Sequence, residues 1–171
     1  WFQAAAAEWG VGAESVKESL AIPIARAQKS LANAREPLQD RTIRFLPGSQ
    51  LELPLARFLR DECGMSLMEV ATPYLDQTLM AEEMLRLGPG VSLVEGSDLD
   101  SALARVRHNR PDLTVCGMGI ANPLEAEGLR TKYSIDLIFP PIQGFDQVAD
   151  LAGLFARPLL RERQLEVGSW S

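Results

Sequence analysis

The chain has 171 residues, 46% of them hydrophobic and 23% charged, an ordinary globular composition that argues against disorder and against a disulfide scaffold. Its formal net charge of −6 has the wrong sign for a nucleic-acid surface, which needs clustered Lys and Arg. No apolar run approaches the roughly 18 residues of a membrane helix, no signal peptide is visible, and the widely separated Cys63 and Cys116 read as buried thiols of a reduced, intracellular protein.

Trp1 to Trp9 is an Ala-rich helical stretch, broken by Gly10 and Gly12. The chain opens inside this pattern without Met, which predicts a piece of a longer protein lacking its N-terminal part. A second helical stretch, Ala13 to Arg35, is expected to be interrupted at Ile22-Pro23-Ile24. Its half "ARAQKSLANAR" is polar around much of its circumference and suits a surface or bridging helix. From Arg41 the rhythm changes. "TIRFLPG" is a short β-rich run, and the helix after it places Leu51, Leu55, Phe58, Leu59 and Cys63 on one face. Ser49 and Glu52 have capping-box spacing, Pro54 makes the first turn irregular, and Gly64 is the stop.

The alternation then repeats. "SLMEVATP" and "VSLVEG" are strands, and "DQTLMAEEMLRLG" is a helix between them. "DLDSALARVRHN" is a helix with Leu99, Ala102, Leu103 and Val106 on its apolar face. "DLTVCGMG" is a strand, followed by a short helix capped by Asn122, with Pro123 at its first position and Gly128 past its end. "YSIDLIF" is the last strand, and "GFDQVADLAGLFAR" is a helix ending before Pro158. Five strands alternating with helices predict an α/β fold, a Rossmann-like parallel sheet with helices on both faces, preceded by N-terminal helices. The chain divides into a helical linking segment at 1–40, an α/β domain at 41–160 and a polar tail at 161–171. Ligands of such sheets sit outside the carboxyl ends of the strands, so the loops Pro47–Gln50, Ala71–Leu75, Gly96–Asp98, Gly117–Pro123 and Pro140–Phe145 matter most.

Gly117-Met118-Gly119 partly matches a dinucleotide fingerprint, but the third glycine position is Asn122, and Glu125 and Glu127 disfavour phosphate. It reads as a tight strand-to-helix turn. Two Cys and one His at no ligand spacing predict no metal site in this chain. His108 points opposite the apolar face of its helix, and Glu82-Glu83 reads as a solvated face. No nucleophile–base pair is visible, so no catalytic residue is expected. Tyr133, Ile135, Leu137 and Phe139 alternate along the last strand, and Phe145, Leu151, Leu154 and Phe155 follow. Core packing accounts for most of these. A flat apolar ligand is the alternative for those at the edge.

The stretches "SQLELPLARFLRDECGM", "EVATPYLD", "RPDLTVCGMGIANPLEAEGL", "TKYSIDLIF" and "QGFDQVADLAGLFARPL" together resemble the N subunits of light-independent (dark-operative) protochlorophyllide reductases, a family similar in turn to nitrogenase component 1. The resemblance runs colinearly from about Arg41 to Pro158, at the C-terminal side of that family. It implies a heterotetramer of two N and two B polypeptides, an ATP-binding iron protein (subunit L), and ferredoxin as electron source. It implies a 4Fe–4S cluster at the N–B boundary and reduction of the ring-D double bond of protochlorophyllide in chlorophyll synthesis. The family's cluster cysteines lie in the N-terminal part, so Cys63 and Cys116 do not correspond to them and this segment alone is expected to be inactive. Its share is to wall the pigment pocket and support the contact between N and B. The candidates are Tyr133, where the family's "TKWS" has Trp, and Leu129, Phe145, Leu151 and Leu154. The protein is expected in the cytoplasm of a photosynthetic bacterium or in a plastid stroma. Alternatives are a nitrogenase-like component, a cofactor-assembly scaffold, or a non-enzymatic Rossmann-like binding module.

Overall fold

The computed structural model describes residues 2–96, 98–137 and 142–165. Its centre is a five-stranded, wholly parallel sheet. The strands are β1 (Thr42–Phe45), β2 (Ser66–Thr72), β3 (Leu93–Glu95), β4 (Leu113–Cys116) and β5 (Thr131–Tyr133), in the order β3-β2-β1-β4-β5. The strand order reverses at β1, so the switch point lies between β1 and β4. The helices are α1 (Phe2–Glu8), α2 (Ala13–Ala34), α3 (Glu52–Asp61), α4 (Ala81–Leu87), α5 (Leu99–Asn109), α6 (Met118–Ala126) and α7 (Val148–Leu165). The expected α/β architecture is the one observed.

Alternation along the strands sends side chains to two cores. Ile43, Phe45, Val70, Leu113 and Val115 meet Leu53, Ala56 and Leu59 of α3, Leu31 of α2 and Phe155 of α7. On the other face, Leu46 and Cys116 meet Ala102 and Val106 of α5 and Ala121 and Leu124 of α6. Leu51 and Leu99, expected on apolar faces, are instead exposed. His108 is exposed, as its helical phase requires.

Several boundaries differ from expectation, and proline is the common reason. α2 runs unbroken through Pro23, and α7 runs through Pro158 to Leu165 rather than stopping before it. Proline removes one backbone bond and crowds the preceding turn, but α2 and α7 pack against each other, and that contact holds both helices. α6 starts at Met118 with Gly117 as N-cap, so Pro123 lies inside it and Asn122 is not a cap. Gly128, at φ 78°, ends that helix as expected. Pro54 falls within the first turn of α3, where its missing N–H has no helical acceptor to lose. The last strand stops at Tyr133, and Ser134–Leu137 is a 3-10 turn, so the period-two pattern does not continue. Trp1, Phe139 and the tail beyond residue 165 lie outside the described residues.

One row of polar side chains crosses the second face. Glu69 on β2 pairs with Arg44 on β1, Arg44 with Thr114 on β4, and Thr114 with Thr131 on β5. All four are buried. Arg105 of α5 forks onto Glu69 at 2.9 and 3.2 Å, while Arg44 Nη1 lies 3.6 Å from the same carboxylate. Burial pushes the Arg44 guanidinium down and Glu69 partly restores it.

The amino ends of β1 and β4 are tied by Asp112. Its carboxylate accepts from the Thr42 amide and hydroxyl, both at 2.8 Å, and from Arg41 at 3.3 Å. Burial raises the Asp112 carboxyl, but the Thr42 bonds and the Arg41 charge outweigh it and hold the group below its ordinary value. A depressed folded-state value means that the stability gained is fully present above the unfolded-state pKa, about 4, and is lost as pH falls through the folded-state value. Asp112→Asn is therefore expected to flatten the acid limb of stability below about pH 4, measured by urea unfolding at stepped pH. An unchanged acid slope would refute this.

Candidate functional site

Each strand is followed, at its carboxyl end, by an exposed large apolar side chain. These are Leu51 after β1, Tyr74 and Leu79 after β2, Leu99 after β3, Met118 after β4 and Ile135 after β5. Exposed apolar residues taken singly are unremarkable, and what these six share is their place on the loops that follow the strands. Those loops lie at the edge at which open parallel sheets bind ligands.

The loops converge at the switch point. A Cβ at Gly48 would stand 2.8 Å from Ser134 Oγ, which would have to rotate away, and in ordinary contact at 3.6 Å with the Gly117 amide nitrogen, so the loops after β1, β4 and β5 meet closely there. Beneath lies Glu52, 1% exposed. One carboxylate oxygen accepts from the Gly48 amide at 3.1 Å, the Ser49 amide at 2.5 Å and the Ser49 hydroxyl at 3.1 Å. The other accepts from the Thr72 hydroxyl at 3.2 Å. The spacing of Ser49 and Glu52 suggested a reciprocal capping box. The structure forms only the half in which Glu52 reaches back, and the N-cap is Leu51, with no side-chain cap bond. The role of Glu52 as a clamp between the ends of β1 and β2 was missed because Thr72 lies twenty residues away.

The five candidate pocket residues divide among three places. Tyr133 and Leu129 belong with the second-face core, where the Tyr133 hydroxyl donates to Asn122 Oδ1 at 2.7 Å. That bond provides the partner that Tyr needs in place of Trp. Leu151 and Leu154 join the first-face core, and Phe145 stacks on Phe2 with ring centroids 5.9 Å apart. Tyr133 and Leu154 meet again in a depression of about 100 Å³ beside β5. Glu125 and Glu127 lie at the far end of α6, engaged by Thr131 and Arg107, and its first turn carries no acid.

The cluster that the family resemblance implies raises the question of ligands, and the two cysteines here do not fit one. Cys63 and Cys116 sit in separate cores, fully buried, and burial pushes both thiols up to about 12. Among the described residues no group of three or more His, Cys, Asp or Glu could hold a metal ion. Nor does any helix of the described residues have the length and apolarity to cross a membrane.

The chain is 59% identical over 167 residues to "Light-independent protochlorophyllide reductase subunit N" of Halorhodospira halophila, covering 98% of this chain and 39% of that protein. The proteins of the same name from Dinoroseobacter shibae and Synechococcus are 52% and 55% identical over 98% and 96% of this chain, and 39% and 38% of theirs. The chain thus spans about two fifths of the length of these relatives. No protein-family model matches it. Two solved structures titled "Nitrogenase Cp1", at pH 5 and at pH 6.5, superpose with TM-scores of 0.69 and 0.68. They share 15% and 13% identity, cover 92% of this chain, and are covered over 38% and 41% of their own length; at that identity the likeness shows the fold.

Proposed function

From a chain that belongs, over the length it spans, to the family of light-independent protochlorophyllide reductase N subunits, we infer that it forms the pigment-side wall and part of the inter-chain contact of such a reductase. The observation that carries this reading is identity of 52–59% to named N subunits over 98% of the chain. The exposed apolar series at the carboxyl edge supports it, because a flat tetrapyrrole needs an apolar wall from which water is excluded. The reaction proposed for the whole protein is ATP-dependent reduction of the ring-D double bond of protochlorophyllide to chlorophyllide. The B polypeptide of the reductase is the proposed partner, the iron protein subunit L the ATP-binding electron donor, and ferredoxin the source of electrons. A 4Fe–4S cluster, held by residues beyond this chain, would supply the electron transfer when bound. The residues of this chain contribute shape and position: Leu51, Met118 and Ile135 offer surface, and the Glu52 clamp fixes the loop that carries Leu51. Tyr133, Leu129, Phe145, Leu151 and Leu154 are the proposed substrate-side set, in which Leu129 and Leu154, buried in the cores, back the wall, and the cytoplasm or stroma is the proposed location.

The test uses the full-length protein with its B partner. Protochlorophyllide should bind with a shift of its absorption bands, and Met118→Asp should weaken binding about tenfold, the value of one buried side chain of this size. Absence of a B partner together with absence of a spectral shift would sink the reading.

A further inference from the structure

Arg157 and Arg161 stand one turn apart on α7, both exposed, and neither has an ion-pair or hydrogen-bond partner among the described residues. In a chain of net charge −6 such a pair is conspicuous, since like charges at this spacing repel. Both line the depression of about 100 Å³ beside β5. Its third cation, Lys132, is 8% exposed and is held by Asp136 at 2.8 Å. Its other acid, Glu125, accepts from the Thr131 hydroxyl at 2.6 Å. Three cations therefore face two carboxylates, one of them tied to Lys132, and the pocket keeps a formal excess of one positive charge.

We propose that this pocket receives one carboxylate side chain, Asp or Glu, from another polypeptide of the assembly, with Arg157 and Arg161 as its donors. The inference rests on the multi-subunit reading above. The volume admits one acidic side chain and is too small for a nucleotide or a tetrapyrrole. Among the described residues β5 is an edge strand, which leaves its side open to a neighbouring chain. Guanidinium groups suit this task because their planar fork matches a carboxylate, and the partly apolar wall of Tyr133 and Leu154 keeps water from competing at one side.

The experiment measures association of the full-length chain with its partner polypeptide at several salt concentrations. Arg157→Gln with Arg161→Gln should weaken association about tenfold, and R157E with R161E about a hundredfold or more, both with a shallower salt dependence than the wild type. Lys29→Gln, an exposed charge elsewhere, serves as control and should change nothing. Unchanged affinity and salt slope in the Glu pair would overturn the proposal. So would an Arg161-dependent rise in melting temperature with inorganic phosphate while association stayed unaffected, because the site would then serve a free ion. A wild type that binds no partner would instead refute the functional reading, and this inference with it.

Discussion

Replacing Glu69 with Gln is expected to cost the fold about 3–5 kcal/mol, because it leaves a buried guanidinium without its counter-charge. Arg44 is 3% exposed, and its Nε and Nη1 have no hydrogen-bond partner among the described residues. What offsets the cost of burying this charge is the Glu69 carboxylate 3.6 Å away, too long for a hydrogen bond but close enough for Coulomb attraction. Arg105 would suffer less from the loss, since its side chain is 38% exposed and water can take over. The cost should therefore follow Arg44. Arg44→Met removes the buried charge and its desolvation together and should be nearly neutral, and the double variant Arg44→Met/Glu69→Gln should recover most of what Glu69→Gln loses. Urea unfolding of the two single variants and the double variant decides it. A double variant as unstable as Glu69→Gln would show that the cost lies in the Arg105 bonds instead.

The same row shows what the sequence could and could not reveal. The βα alternation was legible because Ile43, Phe45, Val70, Leu113 and Val115 are apolar and evenly spaced, and that pattern alone specifies a buried parallel sheet. Arg44, Glu69 and Thr114, taken in isolation, suit the polar face of a half-exposed strand, and nothing in the sequence singles out any of them. Their burial depends on register. The β1–β2 pairing shifts between Ile43 and Arg44, which places Glu69 rather than Met68 opposite Arg44. No local signal announces such a shift. The prolines misled for a related reason: propensity says that Pro23 and Pro158 end helices, while the α2–α7 contact overrides it. The candidate site is legible only as a place to look, because loops at strand carboxyl ends follow from topology. Its individual residues are not, because Leu129, Leu151 and Leu154 satisfy the pattern of a wall and of a core equally well, and the structure puts Leu129 and Leu154 in cores.

Glu52→Ala is expected to destabilise the protein by about 2–4 kcal/mol and also to weaken the pigment binding proposed for the full complex, a combination that Glu69→Gln should not show. The buried carboxylate organises donors from three residues, two of them in the Gly48–Ser49 loop and the third, Thr72, at the end of β2. Without it, the Gly48 and Ser49 amides lose a charge-assisted acceptor, and the exposed loop can swing out to satisfy them with water. That relaxation limits the loss of stability, but it moves Leu51 and uncouples the β1 loop from Thr72. Glu52→Gln discriminates between shape and charge. An amide oriented with its oxygen toward Gly48 and Ser49 keeps those bonds, and its nitrogen can donate to Thr72 Oγ1, which also reaches the Tyr74 carbonyl at 3.4 Å. Glu52→Gln should thus lose about 1 kcal/mol and bind pigment nearly as well as the wild type. Melting curves and pigment titrations on both variants test the two effects separately. If Glu52→Ala lowers stability yet binds pigment with unchanged affinity, the β1 loop is not part of the pigment wall, and the site must lie along the β4–β5 side of the switch point.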